Sequence, residues 1–162
     1  MTAHHLHLLL NHFPIVGLLI MLAAIFIAIW NNNKALLNFS LVGIVVLTLM
    51  SIPLNETGEA AEDVVEKSTT INEQIIEEHE EAAEWATPLM YISGALALVA
   101  LFFSIKRDGI PVALKSVLII LLLMTQVAMI RTGYLGGKIR RPELQNSGNT
   151  TGAAEEEVEE ED

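Results

Sequence analysis

The chain has no cysteine, which excludes disulfide bonds, thiolate zinc sites, iron–sulfur clusters and the C-x-x-C-H attachment of haem. A bound metal would therefore need nitrogen and oxygen ligands. Bases are also scarce, since nine Lys and Arg stand against 20 Asp and Glu, for a formal net charge of −11. Without a large basic surface, a nucleic-acid-binding function is excluded.

Charge is nearly absent from four long apolar runs, and the runs are too long and continuous for a β-rich fold. A helix needs about 20 mostly apolar residues to cross a hydrocarbon core of roughly 30 Å. A chain of 162 residues is too short to surround four such helices with amphipathic ones in a soluble bundle. The sequence therefore predicts an all-α fold, a four-helix transmembrane bundle in a lipid bilayer, with spans at about 13–30, 36–54, 86–105 and 110–130.

Short polar turns at 31–34 and 106–109 place these two connections on one side of the membrane. The N-terminus, the long connection 55–85 and the C-terminus then share the other side. The bases divide almost evenly between the two sides, so the positive-inside rule gives little direction. Because the first base of the chain is Lys34, after the first span, we expect both termini in the periplasm.

The long connection is acidic, with eleven acids and one base between residues 56 and 84. Its apolar residues nevertheless recur at helical spacing, which predicts a helix running into the third span. His79 lies on that apolar stripe, four residues after Ile75 and four before Ala83. A second short helix is predicted at about 59–67. Residues 55–85 are thus expected to form an acidic helical hairpin outside the bilayer.

The C-terminal segment 144–162 is first polar and then acidic, without apolar periodicity. Such a composition cannot bury enough apolar surface to fold, so a disordered tail is predicted. The membrane domain is expected to comprise residues 1–143.

Histidines offer the clearest ligands. Four of the five lie within the first twelve residues, where His12 stands near the hydrocarbon boundary, and His79 lies on the same side of the membrane. We expect the rings of His12 and His79 to point into the bundle. Two imidazoles from different helices form a suitable axial pair for haem b. Alternatively, a divalent metal could be held by imidazoles and carboxylates, with the candidate ligands His7, His12, Glu59, Glu62 and His79. The simpler alternative is that each imidazole is only hydrogen-bonded.

Basic residues follow the fourth span. Arg131 ends it, and Arg140 lies beyond a glycine-rich segment that is predicted to form a compact turn with anion-binding N–H groups. Either arginine could bind a haem propionate, or the bases could simply balance the acidic helices. The chain contains no phosphate-binding loop, nucleophile elbow or H-E-x-x-H motif, so no residue is assigned a catalytic role.

Several segments resemble one family. Residues 7–14, HLLLNHFP, resemble the His-x4-His-Phe-Pro opening of a group of bacterial four-helix membrane proteins whose function is not established. The segments TGEAAEDVVE (57–66), HEEAA (79–83) and LGGKIRRPE (135–143) resemble one branch of it. The group is similar in layout to four-helix b-type cytochromes. This resemblance implies a bacterial inner-membrane protein with haem and electron transfer. All five histidines lie on one side, so at most one bis-His haem fits.

The sequence thus predicts an integral membrane protein with a His/Glu/Arg-lined site at one membrane face, which binds haem b or a metal and exchanges electrons with a redox partner. The alternative is a non-catalytic membrane subunit or scaffold, whose acidic hairpin mediates assembly with other membrane proteins. The two hypotheses differ in one simple observable, since only a haem protein is coloured.

Overall fold

The computed structural model describes residues 10–65, 73–107 and 109–139. These residues form four α-helices and no strand: α1 is His12–Trp30, α2 is Lys34–Val65, α3 is Glu73–Lys106 and α4 is Val112–Ile139. All four are long and apolar enough to cross a membrane. The prediction of an all-α protein with four membrane-spanning helices is therefore confirmed.

The helices form a closed ring. Each packs against the next along the chain, and α4 packs back against α1. Among the described residues, no Cα atoms of α1 and α3, or of α2 and α4, lie within 8 Å of each other. The centre is filled by buried apolar side chains from all four helices, among them Leu18, Leu41, Met90 and Leu122.

The outer surface of the bundle is as apolar as its interior. In the most apolar window of each helix, only 22–33% of the residues are buried, yet the exposed positions are largely Leu, Ile, Val and Phe. A helix that is apolar on all sides suits lipid and not water. We conclude that this is an integral membrane protein in contact with the bilayer.

Hydroxyl and amide side chains join the helices inside the apolar region. Ser93 and Thr125 share a buried hydrogen bond of 2.9 Å between α3 and α4. Ser104 Oγ donates to Asn38 Oδ1 at 2.6 Å between α3 and α2. In a bilayer such polar groups are expected to pair across helices, because lipid offers them no partner.

One helix continues where a break was expected. α2 runs without interruption through Pro53 and Gly58 to Val65, so the predicted separate helix at 59–67 is wrong. α3 runs through Pro88, which confirms the prediction of a helix that continues into the third span. Thr87 Oγ1 donates to Asn55 Oδ1 at 3.3 Å, a contact that joins the two helices beside both prolines.

Helix lengths distinguish the two sides of the membrane. At 1.5 Å per residue, the 34 residues of α3 span about 51 Å, far more than a hydrocarbon core of roughly 30 Å. The excess lies at one side, which we call the terminal side: it contains the start of α1, the end of α2, the start of α3 and the end of α4. The opposite side, which contains the turn at 31–33, the end of α3 and the start of α4, is called the turn side.

The protruding ends of α2 and α3 are helical, as the predicted acidic hairpin requires. Residues 66–72, which connect them, lie outside the described residues, so the hairpin itself stays a prediction. The predicted tail at 144–162 also lies outside them.

Candidate functional site: His79 of α3 packed against α4

His79 lies on the inner stripe of α3, where the sequence placed it. Ile75 before it and Ala82 and Ala86 after it are buried, while Glu77 and Glu81 are exposed. The helical spacing of these apolar residues turns His79 toward the bundle and leaves the imidazole half-buried. The prediction that His79 faces the protein and not the solvent is confirmed.

The His79 imidazole is held by the backbone of α4. Its Nδ1 lies 3.0 Å from the carbonyl oxygen of Thr132. A carbonyl oxygen can only accept, so Nδ1 carries the proton in this contact. In the neutral ring, the lone pair is therefore on Nε2, the atom that would bind a metal.

Gly136 lets the imidazole approach the helix. A Cβ atom on Gly136 would lie 3.1 Å from His79 Cε1 and 3.4 Å from its Nδ1. Any side chain there would therefore press on the ring that Thr132 anchors. Gly137, the next residue, has no atom within 4 Å of an equivalent Cβ, so only one of these adjacent glycines is required by close packing.

Gly133 allows the start of α1 to pack closely on α4 in the same way. A Cβ atom on Gly133 would lie 2.6 Å from Ile15 Cδ1. One turn of α4 therefore contacts His79 of α3 and Ile15 of α1, although no described Cα atoms of α1 and α3 lie within 8 Å of each other. This turn brings the beginning of α1 to the region of His79.

Two buried acceptors lie where α1 begins and packs on α4. Gln126 Nε2 donates to the carbonyl oxygen of Ile15 at 3.2 Å, while Gln126 Oε1 has no hydrogen-bond partner among the described residues. Asn11 Oδ1, one turn before Ile15, is likewise buried and unpaired there. Buried oxygens of this kind usually have a donor, so this contact region is richer in polar groups than lipid-embedded packing requires.

The other predicted ligands are only partly described. His12 is exposed at the start of α1, which corrects the expectation that its ring points into the bundle. Glu59 and Glu62 belong to α2, but their side chains are not described, and His7 lies outside the described residues. Within the described part of the chain, no three His, Asp or Glu side chains come together as a metal-binding group.

The glycine-rich segment is helical, which corrects the predicted compact turn. α4 continues to Ile139, so the N–H groups of Gly133, Gly136 and Gly137 lie within a helix and cannot form an anion-binding loop. Arg131 is exposed on the outer surface of α4 and forms no ion pair with the described glutamates. Arg140 lies outside the described residues.

Sequence reasoning found His79 but missed its partners on α4. Thr132 contributes a backbone carbonyl, which leaves no signal in a sequence. Gly133 and Gly136 did leave one, because small residues on a membrane helix allow neighbouring helices to pack closely.

Comparison with known proteins adds no assignment: no protein-family model, no curated protein and no solved structure matches this chain. The resemblance to the His-x4-His-Phe-Pro group therefore stays a prediction, and the function has to be argued from the site.

Proposed function

We propose that this membrane protein binds a metal-centred cofactor, haem b or a transition metal, through Nε2 of His79 on the terminal side. The observation that carries the proposal is the 3.0 Å contact between His79 Nδ1 and the Thr132 carbonyl. Metal-ligating histidines almost always donate their other ring nitrogen to a carbonyl, a carboxylate or water, which fixes the tautomer and the ring orientation. His79 has this arrangement, with Gly136 as the surface on which the ring rests.

For haem b, the second axial ligand would come from the N-terminal segment, and we favour His7 over His12 because His12 is exposed. The contact of Ile15 with Gly133 brings the start of α1 to the same turn of α4 that holds His79. Haem would supply one-electron transfer, in keeping with the proposed role in electron transfer. For a propionate partner we favour Arg140 over Arg131, because Arg131 is on the outer surface.

For a single metal ion, the ligands would be His79 with His7 or His12 and the carboxylates of Glu59 and Glu62. Imidazole and carboxylate ligands suit zinc, iron and copper. In both cases His79 is the essential ligand, and its tautomer is already set by Thr132. The two cofactors can be distinguished, because haem gives an absorption band and a single metal ion gives a stoichiometric metal content without that band.

The test compares three proteins expressed and extracted in mild detergent: the native chain, H79Q and H5Q. H5Q is the control, because His5 is not among the candidate ligands. We expect haem absorption or a bound metal in the native protein and in H5Q, and its loss in H79Q. Equal cofactor content in H79Q and the native protein would contradict the proposal. Equal elution volume and helical circular dichroism of the variants would show that the bundle still folds.

A second function, assembly with other membrane subunits, is favoured by the acidic surface of α3. Glu77, Glu81 and Glu84 are exposed, and no ion pair joins them to a base within the described residues. A basic partner surface would complement them. Co-purification of a partner with the native protein and its loss in E77Q/E81Q/E84Q, with no cofactor found in either, would support this role.

A further inference from the structure

A groove on the surface between α3 and α4 lies beside the His79 site, and neither His79 nor Thr132 lines it. Its volume is about 460 Å³. The small residues Ala82 and Ala128 leave space between the helices, and Leu89 and Met124 extend the apolar wall toward the bilayer centre. Trp85 and Arg131 lie at the terminal end of the groove.

The position of Trp85 along α3 indicates how deep in the membrane the groove lies. Trp85 lies 21 residues before Lys106, the end of α3 on the turn side. At 1.5 Å per residue this is about 32 Å, which matches the thickness of a hydrocarbon core. Trp85, 71% exposed, is therefore at the headgroup boundary, where tryptophan is enriched. An occupant of the groove would have its polar end beside Arg131 and its apolar part inside the bilayer.

The charged residues beside the groove indicate which polar headgroup an occupant would have. Arg131 is a cation without an ion pair among the described residues, and it can bind a phosphate. Glu78 lies on the same stripe of α3 as Ala82 and Trp85, four and seven residues before them. Its Oε1 accepts a hydrogen bond of 3.3 Å from Gln74 Nε2. Moving outward, the order of features is apolar wall, cation and then carboxylate.

We propose that this groove binds a phospholipid whose headgroup ends in a primary ammonium, that is, phosphatidylethanolamine. The acyl chain would lie along the apolar wall, the phosphate at Arg131 and the ammonium at Glu78. An anionic headgroup without an ammonium would bring its phosphate to Arg131 but would leave Glu78 and the neighbouring Glu81 and Glu84 uncompensated. The groove therefore favours phosphatidylethanolamine over phosphatidylglycerol, and over phosphatidylcholine because a quaternary ammonium has no N–H to donate to the Glu78 carboxylate.

The two tryptophans of the chain provide the assay. W30F leaves Trp85 as the only reporter, at the groove. W85F leaves Trp30, which is 88% exposed at the turn-side end of α1. Each variant is reconstituted at low protein density in phosphatidylcholine vesicles. A small fraction of phosphatidylethanolamine, phosphatidylglycerol or phosphatidylcholine with brominated acyl chains is added, since bromine quenches nearby tryptophan fluorescence.

We expect brominated phosphatidylethanolamine to quench Trp85 with an apparent affinity about two- to fivefold higher than the other two lipids, the range that exposed ion pairs supply. E78Q should abolish this preference and R131Q should weaken the quenching of Trp85 by all three lipids, because each contains a phosphate, while R107Q, on the turn side, should change neither. Trp30 should be quenched equally by all three lipids and would confirm that each variant is inserted. Equal quenching of Trp85 by the three lipids would show only annular lipid and would overturn the proposal, as would a preference for phosphatidylglycerol.

Discussion

The turn side and the terminal side of this bundle are built differently, although the same four helices form both. On the turn side, helices end near the membrane boundary, connections are short, and Ser104 and Asn38 supply a simple polar contact. On the terminal side, α2, α3 and α4 extend beyond the bilayer, and the α3–α4 contact contains a half-buried histidine and a required glycine. The short connections and the polar contact of the turn side are sufficient to join four helices. The terminal side has in addition a half-buried histidine, which helix packing alone does not require.

The largest effect is expected at the middle of the bundle, on which both sides depend. Gly94 of α3 packs directly on the side chain of Thr48 of α2, so G94L should force the two helices apart. We expect a loss of about 1–3 kcal/mol in the free energy of unfolding, as for other overpacked cores. Denaturant titration in detergent micelles measures it.

The control for G94L is A95L, since Ala95 is exposed to lipid on the same helix. A95L should unfold like the native protein. An equal loss of stability in both variants would contradict the close contact between Gly94 of α3 and Thr48 of α2.

An intermediate effect is expected at the terminal side from two adjacent glycines. G136A and G137A gain the same helix propensity, up to about 1 kcal/mol, but only the Gly136 Cβ meets the His79 ring. We therefore expect G136A to be about 1 kcal/mol less stable than G137A and to bind less cofactor. The measurement is unfolding in micelles, together with cofactor content per protein.

Equal stability and equal cofactor content in G136A and G137A would show that the His79 ring does not rest on Gly136. The comparison needs no reference to the native protein, because each variant is the control of the other.

The smallest effect is expected on the turn side. S104A removes the hydrogen bond to Asn38, which should cost about 0.6 kcal/mol, the average for such contacts between membrane helices. Exposed Ser116 supplies the control, since S116A changes helix propensity equally. Cofactor content should be unchanged in both variants, and a loss of cofactor in S104A would mean that the two sides are not independent.

The fold was largely predictable because four apolar runs leave few other arrangements. The continuous α2 was not, because local propensity favours a break at Pro53 and Gly58. The structure overrides it through tertiary contacts, such as the hydrogen bond from Thr87 of α3 to Asn55. Local sequence contains no information on such a partner 32 residues away.

The site was predictable in one residue and not in its surroundings. His79 could be placed on the inner face because its apolar neighbours recur at helical spacing. The glycines near Gly136 were interpreted as a turn, since glycine suits both a turn and a close helix contact. Only the position of His79 opposite Gly136 distinguishes these alternatives. The prediction for His12 was wrong because His12 is the first residue of α1. Its ring is exposed at the helix end, and the spacing of neighbouring apolar residues does not reveal this.

We propose that the terminal side contains a cofactor ligand, His79, oriented by the Thr132 carbonyl. The absorption spectrum and the metal content, per mole of protein, of the detergent-extracted native chain and of H79Q test this proposal. We expect a haem band or about one equivalent of metal in the native protein, as one His79 site per chain requires, and its loss in a folded H79Q. A native protein without either, or an H79Q protein that retains the cofactor, would contradict it.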